Sequence, residues 1–275
     1  MPSRIRLIAS DLDGTLLSPD RILPDETVTA IHDALAAGIH FCLASGRSIS
    51  TMFRFAHQIG IPGPIVSCNG AFVTGLGGEL VKQSCLSPEA VKSLIRFASD
   101  RNLHTNTYCG ADVYFSTEGP EAQLYRERTQ LHDAKFAPLN GMAAMSPNKI
   151  LFIDQPAANE RHHLQLNELA ASTGFTIVRS EPDYIEFLPS GITKGAGLAI
   201  LCEQLGIQPS EVAAIGDWLN DYEMLEWAGR SAAVANAHAD VLALADTVVP
   251  SNAENGAAHY IRSVLEDAKA DILSG

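Results

Sequence analysis

The sequence predicts an α/β fold built on a parallel sheet and interrupted by an α+β insert. Three observations carry this expectation. Short apolar runs alternate with amphipathic helical stretches over residues 5–66 and again beyond Gly191. Those runs lack polar alternation, as strands buried on both faces do. Between about Gly78 and Pro189 the candidate strands become more polar and alternating, which marks a separate layer of structure. The expected organisation is a discontinuous core, residues 1–78 and 189–275, around an inserted domain, residues 79–188.

Each element has its own local signal. Ile5, Leu7, Ile8 and Ala9 form the first strand run, which ends at Asp11. Pro24-Asp25-Glu26 opens a helix with Val28, Ile31 and Leu35 at helical spacing, and Gly38 closes it. The second strand, 39–44, ends in Ser45-Gly46-Arg47-Ser48, after which Ile49, Met52, Phe53 and Ala56 give another helical face. Pro64-Ile65-Val66 starts a third strand, and Gly75-Leu76-Gly77-Gly78 reads as a hairpin turn. The insert is expected to carry strands at 104–108, 149–153, 176–179 and 184–188, with helices over 88–101 and 157–172. The first rhythm then returns: helices over 194–205, 219–228, 239–245 and 256–267, with strands at 212–215, 232–235 and 247–249.

Composition excludes several function classes. Lys plus Arg number 19 against 32 Asp plus Glu, a net charge of −13 that repels a long phosphate backbone or an anionic bilayer. No run approaches the ~18 apolar residues of a membrane span, and the opening stretch is too short for a signal peptide. Cys42, Cys68, Cys85, Cys109 and Cys202 are odd in number, widely spread and form no C-x-x-C pair, as expected of reduced structural thiols. A cytoplasmic protein is expected, with neither nucleic acid nor membrane as partner.

In an open parallel sheet the ligand crevice lies beyond the carboxyl ends of the strands, so polar residues directly after apolar runs are the candidates for chemistry. Asp11 and Asp13 lie two apart with Gly14 following, a pair that can hold a hard cation or form an acidic turn. Asp217 and Asp221 lie four apart at a strand-to-helix junction, where they can also serve as caps. Together the two clusters would repel one another unless a cation lay between them, and oxygen-only donors favour Mg²⁺ over zinc. Lys194 falls in the first turn of a helix, where the macrodipole disfavours a cation unless an anion is near. Ser45 and the backbone amides of Gly46 and Arg47 offer an anion cradle at another helix start, or Ser45 is a plain N-cap. No nucleotide P-loop, dinucleotide fingerprint or serine-hydrolase elbow is present.

These residues resemble the haloacid dehalogenase superfamily of phosphatases, in its Cof-like branch. Asp11, Asp13, Gly14 and Thr15 match D-x-D-G-T; Ser45, Gly46 and Arg47 match [ST]-G-R; Lys194 matches the lysine motif; Gly216, Asp217, Asn220 and Asp221 match G-D-x-x-N-D. Similar text continues through Asn69-Gly70-Ala71, Asn236-Ala237 and Ser251-Asn252, so the likeness covers both core halves and is weak only in the insert. Ser45 stands where many relatives carry threonine, which keeps the hydroxyl.

The resemblance implies a Rossmann-like core with a C2-type cap, and phosphoryl transfer through an aspartyl phosphate. Asp11 would be the nucleophile and Asp13 the general acid, then base. Mg²⁺ would be held by Asp11, Asp217 and the main-chain carbonyl of Asp13, with Asp221 a direct ligand or a group steering the metal's waters. Ser45, Gly46, Lys194 and Asn220 would hold phosphoryl oxygens. Arg47 would reach the phosphate or leaving group, or else form a core–cap salt bridge; Asn69 is a further substrate-binding candidate. The expected substrate is a small phosphorylated metabolite, a hexose or pentose phosphate first and pyridoxal phosphate or flavin mononucleotide second. A sugar phosphomutase and a non-enzymatic phospho-ligand sensor remain open, and the oligomeric state is unreadable.

Overall fold

The computed structural model describes residues 4–179 and 181–274, so Met1 to Ser3 of the opening stretch lie outside the described residues. In chain order the strands are β1 Leu7–Ser10, β2 His40–Ala44, β3 Ile65–Ser67, β4 Phe72–Thr74, β5 Leu80–Gln83, β6 His104–Cys109 and β7 Asp112–Phe115. They continue with β8 Lys135–Phe136, β9 Lys149–Ile153, β10 Phe175–Val178, β11 Tyr184–Pro189, β12 Val212–Gly216, β13 Arg230–Val234 and β14 Thr247–Val249. The helices are α1 Asp25–Ala36, α2 Ile49–Ile59, α3 Pro88–Arg101, α4 Pro120–Thr129, α5 Leu139–Met142, α6 Pro156–Thr173, α7 Lys194–Leu205, α8 Tyr222–Trp227, α9 Ala239–Leu244 and α10 Gly256–Ser274.

The chain divides into two compact units. The first takes residues up to Ser45, Met52–Val81 and everything from Thr193 on; the second takes Gly46–Thr51 and Lys82–Ile192. Among the described residues the first unit's sheet runs in the order β14-β13-β12-β1-β2-β3-β4-β5. It is parallel from β14 through β3, and β4 turns back antiparallel on β3. β1 sits between β12 and β2, strands from opposite ends of the chain, so both acidic clusters end at neighbouring strand tips. The apolar side chains Leu7, Ala9, Cys42, Ala44 and Val66 pack on one face against Leu198 and Leu201 of α7, Met224 and Leu225 of α8 and Val241 of α9. α1 and α10 pack together, with α10 also against β12, β13 and β14. Strands covered by helices on both faces explain the unbroken apolar runs.

The second unit has a six-stranded sheet, β10-β11-β9-β6-β7-β8, antiparallel except where β7 meets β8. Ile150 and Phe152 of β9 and Phe187 of β11 pack against Val91, Leu94 and Ala98 of α3 and Leu166 of α6. α3 starts where Ser87 accepts the Ala90 amide (3.1 Å) with Pro88 in the first turn, and it ends at Asn102 in the left-handed region. The Gly75–Gly78 turn joins β4 and β5 as expected, with the Gly75 amide on Glu79 O and the Gly78 amide on Gly75 O. The single helix expected over 219–228 is instead a tight turn at Leu219–Asp221 followed by α8.

Candidate active site

The site is built at the carboxyl ends of β1 and β12. After β1 the chain makes a wide turn closed by the Leu17 amide on Leu12 O (2.9 Å), in which Leu12 is fully buried and Asp13 is half-buried. Asp11 is 4% exposed, and its amide is held by Ile215 O of β12. Gly14 sits at φ +83°, and a Cβ there would stand 2.3 Å from Asp217 Oδ2. Only glycine admits both that conformation and that approach. Thr15 Oγ1 donates to Asp217 Oδ1 at 2.9 Å, tying the turn to the end of β12.

Asp11, Asp217 and Asp221 each present a carboxylate oxygen within 4.8 Å of the others. Lys194, 1% exposed, donates from Nζ to Asp11 Oδ1 and, at 2.6 Å, to Asp221 Oδ1. The N-cap Thr193 accepts the Ala196 amide (3.1 Å), which places Lys194 at the first position of α7. The anion that offsets the helix dipole there is thus carboxylate from the protein itself. Asp221 Oδ2 accepts the amides of Asp217 (3.0 Å) and Trp218 (3.1 Å), so both of its oxygens are engaged.

Electrostatics follow from this crowding. Burial raises the Asp11 carboxyl well above the usual range, with Asp221 and Asp217 adding to it against the pull of Lys194. Asp217 is pushed up to about 7, by burial first and Asp221 second, against Thr15 and Lys194. Burial works to lower Lys194, but Asp11 and Asp221 outweigh it and hold the ammonium charged. Three carboxylates around one ammonium leave a formal charge of −2 when all are ionised. An oxygen-only set short of positive charge fits a divalent metal ion.

The remaining candidates divide. Asn220 Nδ2 donates to Asn69 Oδ1 at 3.0 Å, so these two meet. Asn69 is left-handed (φ +52°) and its amide donates to Ser45 O (3.0 Å), while the Ser45 amide donates to Val66 O. Gly70, also left-handed, lies so close to Thr193 O that a Cβ would stand 2.2 Å away, which brings the Asn69 loop against the start of α7. The N-cap alternative for Ser45 is corrected: α2 starts at Ile49, and it is Ser48 Oγ that accepts the Thr51 amide (3.4 Å). Gly46 and Arg47 belong to the second unit. There the Arg47 guanidinium donates to the main-chain carbonyls of Thr129 (3.1 Å) and Arg128 (3.5 Å), at the C-terminal end of α4, where a cation complements the dipole.

Three supporting residues escaped selection as site residues. Thr15 holds Asp217; Asn236 Nδ2 donates to Gly14 O (2.9 Å); Asn252 donates its amide to Asn236 Oδ1 (2.9 Å) and its Nδ2 to Leu17 O (2.8 Å). All three lay within motif text, but nothing in the pattern says that they brace the Asp11–Gly14 turn.

Comparison with known proteins agrees with this geometry. The family model described as haloacid dehalogenase-like hydrolase matches residues 8–261. The chain is 31% identical to the HMP-PP phosphatase of Klebsiella pneumoniae over 84% of this chain and 85% of that one. It is 29% identical to the 5-amino-6-(5-phospho-D-ribitylamino)uracil phosphatase YcsE of Bacillus subtilis, over 94% and 95%. Among solved structures, a haloacid dehalogenase-like hydrolase from Bacteroides thetaiotaomicron superposes with a TM-score of 0.86 at 27% identity, over 95% of this chain and 100% of that one.

A Rossmann-like sheet with an inserted α+β domain of the C2 type, and carboxylates clustered at two strand tips, define a hydrolase of phosphoric monoesters. The chain belongs to the haloacid dehalogenase-like hydrolase family, in its Cof-like branch. No helix among the described residues is long and apolar enough to cross a membrane.

Proposed function

We propose that this chain is a Mg²⁺-dependent cytoplasmic phosphatase of small phosphorylated metabolites, sugar phosphates first, acting through an aspartyl phosphate. The observation that supports it most is Asp11, buried at the tip of β1, paired with Lys194 and within reach of Asp217 and Asp221. A ligand-binding protein has no need of a carboxylate there beside a second acid at Asp13.

In the first step an Asp11 carboxylate oxygen forms a bond to phosphorus as the bond to the alcohol oxygen breaks, and Asp13 gives its proton to that leaving oxygen. In the second, water attacks the phosphorus of the aspartyl phosphate and loses a proton to Asp13, which frees inorganic phosphate and restores Asp11. Lys194 uses two of its three N–H donors on Asp11 and Asp221, leaving one for a phosphoryl oxygen. Ser45, Asn220 and the amides of Gly46 and Arg47 supply further donors to the charge that builds on the transferring group. Asp11, Asp217 and the carbonyl of Asp13 would hold Mg²⁺, which when bound would supply positive charge against the approach of one anion to another. With both oxygens engaged, Asp221 is assigned to holding Lys194 and the turn after β12. Substrate selection is assigned to the inserted segment, 79–188.

A second reading, phosphorylated heterocycles such as flavin mononucleotide or pyridoxal phosphate, is favoured by the relative named for a ribitylaminouracil phosphate. Phosphate release from a panel of sugar phosphates, pyridoxal phosphate and flavin mononucleotide, with Mg²⁺ or EDTA, tests both readings. Metal-dependent release that falls about a thousandfold or more in Asp11→Asn is expected. Release that persists in that variant overturns the mechanism, and sugar phosphates isomerised without release would identify a mutase.

A further inference from the structure

We propose that Lys149 is a positioning residue: from the sheet of the second unit it fixes the Gly46–Arg47 peptide and so aims the Arg47 amide. Lys149 is 2% exposed, the first residue of β9, and Glu186 of β11 is 4% exposed beside it. Nζ donates to Glu186 Oε1 at 3.0 Å and to the main-chain carbonyl of Gly46 at 2.7 Å, and lies 4.4 Å from the ring centre of Tyr108, its cross-strand partner. The proposed phosphatase mechanism gives this ammonium no part in the chemistry.

A buried ion pair is a poor stabiliser, because desolvating both ions consumes most of what their attraction returns; well-packed apolar residues of similar volume do as well or better. What an apolar pair cannot do is grip a carbonyl oxygen. The bond to Gly46 O is charge-assisted and buried, hence stronger than a neutral one. A trans peptide is a rigid plane with C=O and N–H on opposite edges, so an oxygen held toward Lys149 turns the Arg47 N–H away from it. The Arg47 side chain is fixed separately, on the carbonyls of Thr129 and Arg128. Residues 46 and 47 are therefore gripped at both backbone and side chain, as a preorganised donor requires.

The inference rests on the phosphatase reading, since it assigns the Arg47 amide to a phosphoryl oxygen. Lys149→Met alone takes the lysine's charge away from the buried Glu186, so the decisive protein is the double variant Lys149→Met/Glu186→Leu, which removes both charges together. Two measurements are made on it. In ¹⁵N-arginine-labelled protein, the Arg47 amide resonance reports whether the carbonyl of its own peptide is hydrogen-bonded, whatever the activity. With p-nitrophenyl phosphate and Mg²⁺, kcat/KM reports the consequence for turnover. We expect the double variant to fold, its Arg47 resonance to move more than those of other arginines, and kcat/KM to fall by about tenfold to a hundredfold, with most of the loss in kcat. An unmoved Arg47 resonance, or a moved one with unchanged kcat/KM, overturns the positioning role. A wild-type protein silent toward every phosphate ester overturns the phosphatase reading instead, while the resonance still decides whether Lys149 holds the peptide.

Discussion

Thr15 Oγ1 reaches Asp217 Oδ1 at 2.9 Å across 202 positions of sequence. That hydrogen bond joins the turn after β1 to the end of β12, so the carboxylate cluster forms only when the two sequence halves of the first unit have paired. The parallel register of β1 with β12 puts Ser10 beside Ile215, one residue short of Asp11 and two short of Asp217.

Gly14→Ala is expected to destabilise the protein and disable the site together. The left-handed backbone disfavours any side chain, and the new methyl would lie 2.3 Å from Asp217 Oδ2. A loss of about 1–3 kcal/mol in denaturant unfolding is expected, with phosphate release reduced more steeply than stability.

Lys194→Met removes the ammonium that bonds both Asp11 and Asp221. Leaving buried carboxylates without their partner is expected to lower stability by about 3–5 kcal/mol. Urea unfolding of the metal-free variant reads this directly, and a midpoint equal to wild type would show that the carboxylates do not depend on the lysine.

Mg²⁺ is expected to raise the thermal midpoint and EDTA to lower it, because an ion that binds the folded cluster and not the unfolded chain would stabilise the folded state. At a hundredfold excess over Kd the gain is about 2.7 kcal/mol. Asp217→Asn takes one carboxylate from the cluster and is expected to abolish most of the Mg²⁺ response in calorimetry.

His104, in the second unit, predicts a further pH dependence. It is 6% exposed, with Nδ1 on Thr117 Oγ1 (3.1 Å) and Nε2 on Asn106 Oδ1 (2.9 Å). Burial holds it below its ordinary value of 6.5, against the pull of Asn106, Glu121 and Glu118. The unfolded chain therefore takes up this proton first as pH falls, so the stability that neutral His104 contributes is full above about 6.5 and is lost below it. Unfolding free energy measured from pH 7.5 down to about 5.5 is expected to fall more steeply for wild type than for His104→Gln.

Much of this was legible in the sequence because the core strands are buried on both faces and their ends carry the polar residues. The strand at 149–153, the helix at 88–101 and the helix at 194–205 coincide with β9, α3 and α7, where caps and apolar periodicity agree. β4, β7 and β8 are four residues or fewer, too short for alternation to register. α4 escaped because Pro-Glu-Ala-Gln-Leu-Tyr-Arg-Glu-Arg-Thr shows no apolar stripe; it buries only Ala122, Tyr125 and Thr129. At the site, Asp11, Lys194, Asp217 and Asp221 come together as their motifs suggest. Periodicity says nothing, however, about Asn236 on Gly14 O or Lys149 on Gly46 O, since both contacts join residues more than a hundred positions apart to main-chain carbonyls.

In the proposed mechanism Asp11 carries the phosphoryl group, and acid quenching during turnover with Mg²⁺, followed by peptide mass mapping, would capture that adduct. One added phosphoryl group is expected on the peptide containing Asp11, absent from Asp11→Asn and from the EDTA-treated enzyme. Phosphate release without any such adduct in wild type, or with equal turnover in Asp11→Asn, would contradict it.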